Sequence, residues 1–167
     1  VSMTNLVSNT GVVGNDVTGV GTARRGPAAA SYGTDKAIFG YGINSADSGV
    51  SVTNLVSNAG VVGSDVTGVG TARGYPAAAG YGTDKAIFGY GIITFSTFLS
   101  LTNLVSNTGV VSTDTTGVGT GRWILAAARY GTDKAIFGYG STTTAAGGSV
   151  SMTNLVSNTG VVGNDVT

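Results

Sequence analysis

The sequence has 167 residues, and its 8 Lys and Arg side chains are balanced by 8 acidic ones, so the formal net charge is zero. All the acids are Asp, and Glu, His and Cys are absent. These absences exclude an imidazole base, a thiolate nucleophile, a zinc cluster of Cys and His, and a disulfide framework. The balanced charge argues against nucleic acid as a partner, and no apolar run reaches the length of a membrane span.

In chain order, the first element is an eighteen-residue block, Val1–Thr18, that recurs without a change as Val150–Thr167. Near copies begin at Val50 and Leu99, so the start-to-start spacings are 49, 49 and 51 residues. A second block, YGTDKAIFGYG, lies once between each pair of copies. The sequence is therefore one unit repeated three times after a partial copy, which is typical of a repeat architecture.

Within one unit, counted from the residue after Thr18, four stretches predict β-strands: AAASYG, DKAIFGYG, VSVTNLVS and GVVGSDVT. Gly, Asn and Asp separate them, and both YGTDK and SNTG are expected to form tight hairpin turns. The only helix-like signal is the AAA triplet, which lies beside Gly and Pro. An all-β fold follows, and four short strands in about 49 residues match the size of a β-propeller blade.

The motif order resembles the kelch repeat: TAR, a few free positions, AAA, a turn, and then DKAIFGYG. Two features depart from that pattern, because the glycine pair is split as Gly-Tyr-Gly and no Trp lies near the fourth strand; Trp123 follows the Arg instead. The resemblance implies a β-propeller of four-stranded antiparallel blades. The array is also similar, more weakly, to repeat regions of marine phage structural proteins.

The strand pattern predicts a single repeat domain over residues 1–167, with a half blade at 1–18 and whole blades at 19–67, 68–116 and 117–167. Three and a half blades do not make an ordinary closed ring. We expect a ring completed by oligomerisation, with a homodimer of six blades favoured and the extra hairpins displaced or swapped. A filament, a piece of a longer array, and a β-solenoid with two coils per unit are the alternatives.

In an antiparallel meander, alternate connections lie at opposite ends of a blade. The copies differ mainly in the crossover before the first strand and in the loop between the second and third strands, which share one end. Because loops on a rigid scaffold often bind partners, we predict a variable binding face for a protein or a glycan. Its candidate residues are Arg25, Tyr75, Phe95, Phe98, Trp123 and Arg129. Tolerated drift of loop sequence is the alternative explanation, and the loop with Phe95 and Phe98 could instead pack against a neighbouring blade or subunit.

The remaining polar residues favour structural roles. We expect a turn role for Asp35, Asp84 and Asp133, and a role in binding strand-end carbonyls or the next blade for Arg24, Arg73 and Arg122. A ring of Arg facing an anion, and calcium binding by Asp16, Asp65, Asp114 and Asp165, are the weaker alternatives. The Tyr pairs of each unit (Tyr32/Tyr41, Tyr81/Tyr90, Tyr130/Tyr139) favour blade packing over sugar stacking.

No glycine-rich segment has the ending of a phosphate-binding loop or the following helix of a dinucleotide site, and the only groups that could activate a Ser or Thr are three Lys and the Asp residues. We therefore expect no catalysis, no cofactor and no resident metal. The sequence favours a self-assembling, non-catalytic scaffold with a variable binding face. The alternative is a purely structural repeat protein, engineered or part of a fibre or virion, with no ligand.

Overall fold

The computed structural model describes residues 2–167, and within them every regular element is a β-strand. The eleven strands are β1 (Thr4–Val7), β2 (Val13–Val17), β3 (Ala28–Tyr32), β4 (Lys36–Gly40), β5 (Thr53–Val56), β6 (Ala77–Tyr81), β7 (Lys85–Ile92), β8 (Phe98–Val105), β9 (Ala126–Tyr130), β10 (Lys134–Gly138) and β11 (Thr153–Val156). The expectation of an all-β fold is confirmed. Among the described residues no helix has the length and apolarity to cross a membrane.

The strands form four antiparallel sheets, one per sequence segment. The N-terminal segment (residues 1–18, of which Val1 lies outside the described part) contains the pair β1-β2. Unit 1 (19–67) has the order β3-β4-β5, unit 2 (68–116) the order β6-β7-β8, and unit 3 (117–167) the order β9-β10-β11. The first hairpin of each unit closes in the predicted turn, since Tyr32 pairs with Lys36 in unit 1 and the other two units repeat this register.

The predicted fourth strand is much shorter than expected. In unit 1 this segment forms only two isolated β-bridges, Thr53 to Val66 and Val56 to Val62, and units 2 and 3 repeat the pattern. The spacing on the two sides differs by one residue between these bridges, which is the signature of a β-bulge, and the β1-β2 pair has the same register shift. Only the N-terminal segment forms the fourth strand as a named element, β2.

The cores lie between consecutive sheets. One apolar cluster joins unit 1 to unit 2 and contains Ile38, Tyr41 and Phe88; the other joins unit 2 to unit 3 and contains Tyr90 and Phe137. The first strands β3, β6 and β9 of consecutive units lie side by side. β7 therefore has a neighbour on each face, and all its residues after Lys85 are buried.

The two ends of each sheet carry different connections, as the sequence predicted. At one end the crossover bridges the loop after the second strand, through Arg25 to Ile43 in unit 1, Gly74 to Ile92 in unit 2, and Trp123 to Ser141 in unit 3. The hairpin turns and the SNTG-type turns lie at the other end, where Asn58 donates a hydrogen bond to Asp35. We call the first of these the variable end and the second the constant end.

Candidate interaction surface at the variable end

The aromatic cluster, defined as Tyr75, Phe95 and Trp123, lies at the variable end of units 2 and 3. The Trp123 ring is its centre: the Tyr75 ring meets it edge to face at 5.4 Å between centroids, and the Phe95 ring does so at 6.5 Å. The Trp123 indole Nε1 donates a hydrogen bond to the Thr143 carbonyl at 3.2 Å, which fixes the ring plane. Phe95 is 54% exposed, so the cluster presents apolar area to solvent.

Arg25 extends this surface into unit 1. Its guanidinium donates a hydrogen bond to Asp47 at 2.5 Å, and this contact, followed by the influence of the nearby Tyr75 hydroxyl, raises the pKa of Arg25. The backbone joins the two units as well, because the Tyr75 amide donates to the Gly26 carbonyl at 2.9 Å. The surface thus runs from a charged edge in unit 1 to an aromatic centre in unit 3.

The crossover holds its side chains with an unusual backbone. Tyr75 has φ of 51° and its equivalent in unit 3, Ile124, has φ of 49°, both in the left-handed region. The equivalent residue in unit 1 is Gly26, with φ of 60°, the residue type that adopts this conformation without cost. Bulky residues are held there only where surrounding contacts overdetermine the backbone, and such strain is concentrated at functional sites.

Phe98 and Arg129 do not join the cluster. Phe98 pairs with Ile92 as the first residue of β8, so it belongs to a strand rather than to the free part of the loop. Arg129 was expected near the crossover, and this placement is wrong. It is the fourth residue of β9 and pairs with Ala135 beside the hairpin turn, so at about 3.3 Å per residue the strand carries it to the constant end.

At the constant end, Arg129 donates hydrogen bonds to the Thr83 and Thr132 carbonyls. It lines a cavity of about 200 Å³ with Lys85 and Tyr32, among other residues. Arg129 therefore links the hairpin turns of units 2 and 3, and it shares no surface with Trp123.

The repeated arginines act as structural links between units. Arg73 is fully buried, donates from Nε to the Tyr90 carbonyl at 2.8 Å and from Nη2 to Asn103 at 2.8 Å, and lies 3.9 Å above the Tyr41 ring of unit 1. Arg122 repeats the arrangement over Tyr90 at 4.3 Å. Because both guanidinium groups are inaccessible to solvent, they do not form a ring facing an anion in this structure.

The aspartates at the fourth-strand position bind the chain itself. Asp65 accepts hydrogen bonds from the Thr22 amide and hydroxyl and from Asn54, and the Thr22 hydroxyl is the main cause that lowers the pKa of Asp65. Asp114 and Asp165 repeat these contacts one unit further along each time. Among residues 2–167 no three acidic side chains come together in a group that could hold a metal ion.

Sequence reasoning missed Asp47 and the Thr143 carbonyl as parts of the surface. Asp47 is the only charged residue in the variable loops after the second strand, opposite Arg25 in the same unit, and this pairing of charges was the available signal. The acceptor role of Thr143 carries no sequence signal, because any residue supplies a carbonyl.

No protein-family model matches the chain, and no curated protein does. Among solved structures, 101 chains match. One, described as "Structure of YjhT", superposes with a TM-score of 0.64 at 15% sequence identity, over 93% of this chain and 48% of that one. This is a likeness of fold, and the chain spans about half the length of that protein.

Proposed function

We propose that the protein is a non-catalytic, kelch-like β-propeller scaffold that assembles from more than one copy and presents the variable end to a protein or glycan. The observation that carries the binding role is the continuous surface of Arg25, Tyr75, Trp123 and Phe95. These four residues come from three different units and occupy the positions where the repeats differ most. Aromatic rings and arginine are the side chains that most often dominate binding energy at interfaces.

The length of the matched structure supports assembly from two copies. The structure that this chain matches over nearly its whole extent is about twice as long as the matched part. Two copies would supply six whole units, within the usual size of a β-propeller. The stacking of consecutive sheets through shared apolar clusters is the packing that such a ring extends.

The binding role is tested with Trp123, which is the only Trp of the chain and lies in the centre of the proposed surface. Candidate oligosaccharides selected on a glycan array are titrated while Trp123 fluorescence is recorded. A ligand at the variable end is expected to shift the emission. Titrations in which no array hit and no displayed peptide changes Trp123 emission would contradict a binding role at this surface.

The repeats themselves supply matched variants. Tyr75→Gly and Trp123→Arg install residues that unit 1 already carries at the equivalent positions, Gly26 and Arg25, so both are expected to fold. Each should weaken binding by about tenfold or more, measured by calorimetry. Arg129→Ser, which copies Ser31 of unit 1, is the control at the constant end and should leave affinity unchanged.

A purely structural role is the second candidate, as an engineered repeat protein or a fibre or virion component. It is favoured by the contacts within the aromatic cluster, since Tyr75 and Trp123 are half-buried against each other across the boundary of units 2 and 3. In that case Tyr75→Gly lowers the midpoint of thermal unfolding and no ligand shifts Trp123 emission.

A further inference from the structure

Identical residues in the three units differ in exposure, and the differences mark an open face on unit 3. Tyr41 and Tyr90 are fully buried, whereas the equivalent Tyr139 is 63% exposed. Ile38 and Ile87 are fully buried, whereas the equivalent Ile136 is only half-buried. Since the local sequence is the same, the only missing factor is a following sheet.

Unit 1 lacks the complementary contacts on its opposite side. The side chain of Arg24 is only 7% exposed, yet no aromatic ring within residues 2–167 lies over its guanidinium. Its equivalents Arg73 and Arg122 each lie over a Tyr ring of the preceding unit. Burial lowers the pKa of Arg24, and the coulombic attraction of Asp65 only partly offsets this.

A cavity of about 400 Å³ lies where the missing ring would sit. Arg24, Phe39 and Pro27 line one side of it, and residues 2–5 at and before the start of β1 line the other. In units 2 and 3 the residues equivalent to Phe39, Phe88 and Phe137, pack edge to face on the preceding Tyr at 5.2 Å. The cavity is therefore lined by the same partners that hold a Tyr ring elsewhere in the chain.

β1 also has an unpaired edge. Among the described strands β1 pairs only with β2, whereas its equivalents β5, β8 and β11 pair with the second strand of their own units. The N-terminal segment thus has the equivalents of a third and a fourth strand, and the structure describes no first and second strands beside them. The piece that fits is a hairpin with the sequence of a first and second strand, ending in the Tyr that covers Arg24.

We propose that this open site of unit 1 (Arg24, Phe39 and the unpaired edge of β1) receives the β9-β10 hairpin of a second copy of the chain. β10 pairs with β1, and Tyr139 lies over the Arg24 guanidinium and against the edge of Phe39. The inference rests on the self-assembly in the proposed function and specifies its junction. The proposed contact copies the two junctions inside the chain, where an Arg and a Phe of one unit pack on the Tyr of the preceding unit.

In the proposed dimer, β1 of one copy replaces β11 as the partner of β10 in the other copy. The side chains against β10 do not change, because residues 1–18 and 150–167 have the same sequence. β10 now pairs with β11, with Ile136 opposite Leu155 and Gly138 opposite Thr153. β1 offers the same four residues, TNLV, so Leu6 takes the place of Leu155 without a change of side chain. The β1-β2 hairpin includes a full fourth strand, whereas 150–167 has two bridges there, so we assign the exchanged position to β1.

The loop before β11 can release it. It is two residues longer than its equivalents and contains Gly147, with φ of 90°, around which a Cβ would meet nothing within 4 Å. When residues 150–167 leave β10, Arg122 loses Asn154 and Thr120 loses Asp165, and the β1-β2 hairpin brings the equivalent Asn5 and Asp16 to replace them.

Disulfide trapping in the full chain tests the register, and the absence of native Cys makes it specific. Leu6→Cys combined with Ile136→Cys places two thiols at directly opposed antiparallel positions, a separation that suits a disulfide. A covalent dimer is expected on mild oxidation. Leu6→Cys combined with Ile87→Cys is the control, because Ile87 is paired inside unit 2, and it should give no dimer. A double variant that yields only monomer, cross-linked or free, overturns the proposal.

Tyr139→Ser gives a second readout that does not depend on trapping. Because Tyr139 is exposed in the single chain, the variant should fold normally, and its dissociation constant for self-association should rise by about tenfold or more. Val161→Ser is the control: Val161 is 66% exposed, as is Val61 of unit 1, and Val110 of unit 2 is 65% exposed, so a neighbouring sheet does not cover this position.

Sedimentation of the unmodified chain distinguishes a failure of the proposed self-assembly from a failure of this junction alone. A chain that stays monomeric at every concentration contradicts both the proposed self-assembly and this junction. A chain that associates while Tyr139→Ser and the cysteine pair have no effect contradicts the junction alone.

Discussion

The first and second strands of unit 2 have nearly the same sequence as those of unit 3, yet these strands are buried to different extents in the two units. The second strand of unit 2 is covered on both faces, whereas that of unit 3 is covered only on the face towards unit 2. Burial in this protein is thus a property of the neighbouring sheet, not of the strand. Stability in such repeats resides largely in the interfaces between units.

The largest expected difference between the two units comes from the same substitution at equivalent Tyr residues. Tyr90→Ala empties a fully buried site and should lower the free energy of unfolding by about 3–5 kcal/mol. Tyr139→Ala removes an exposed ring and should change it by less than about 0.5 kcal/mol in the monomer. The backbone contribution cancels, since φ is 63° at Tyr90 and 62° at Tyr139. Urea unfolding at low protein concentration measures both, and equal losses would contradict the role of the neighbouring sheet.

A smaller difference is expected between the buried arginines. Arg73→Ala leaves the Asn103 side chain and the Tyr90 carbonyl without their donor and uncovers the Tyr41 ring, at a cost of about 3 kcal/mol. Arg24→Ala loses hydrogen bonds to Asn54 and to the Thr22 carbonyl but no ring contact, so about 1.5 kcal/mol is expected. The comparison uses denaturant midpoints of the two variants under conditions that keep the chain monomeric. A larger loss for Arg24→Ala would mean that the ring contact contributes nothing.

The smallest effect concerns alkaline pH. Burial raises the pKa of Tyr90 from 10.0 to about 12, although the nearby Arg122 acts in the opposite direction. The folded chain therefore holds this proton more tightly than the unfolded chain, so its contribution to stability is complete below about pH 10 and is lost as the pH rises towards 12. Tyr90→Phe should lose less stability than the unmodified chain across that interval. Parallel pH profiles of the urea midpoint for the two proteins would argue against it.

Much of the fold followed from local sequence. Alternating apolar residues between Gly, Asn and Asp turns predicted the strands and both hairpin turns, because these features depend on neighbours within a few residues. The separation of the connections into two ends also followed, since it depends only on the meander. The fourth strand was overestimated: the same eighteen residues form β2 at 1–18 and only two bridges at 150–167, so the local sequence does not set the length of this strand.

The candidate site was predictable only in part. The variable positions gave Arg25, Tyr75, Phe95 and Trp123, which the structure brings into one surface. Arg129 was assigned to the wrong end, because the residue was judged by its distance along the chain from the crossover rather than by the direction of its strand. The edge-to-face contacts within the cluster join different units, and nothing in the local sequence specifies them.

By itself, the sequence determined the all-β character, the repeat length and the absence of His, Cys and Glu chemistry, all of which depend on composition and local pattern. Only the tertiary structure decided which copy of each repeated residue is buried. Tyr41, Tyr90 and Tyr139 have the same neighbours along the chain, and they differ because a sheet covers the first two and leaves the third open. Identical sequence cannot encode that difference, since burial is set by the surface that packs against a residue.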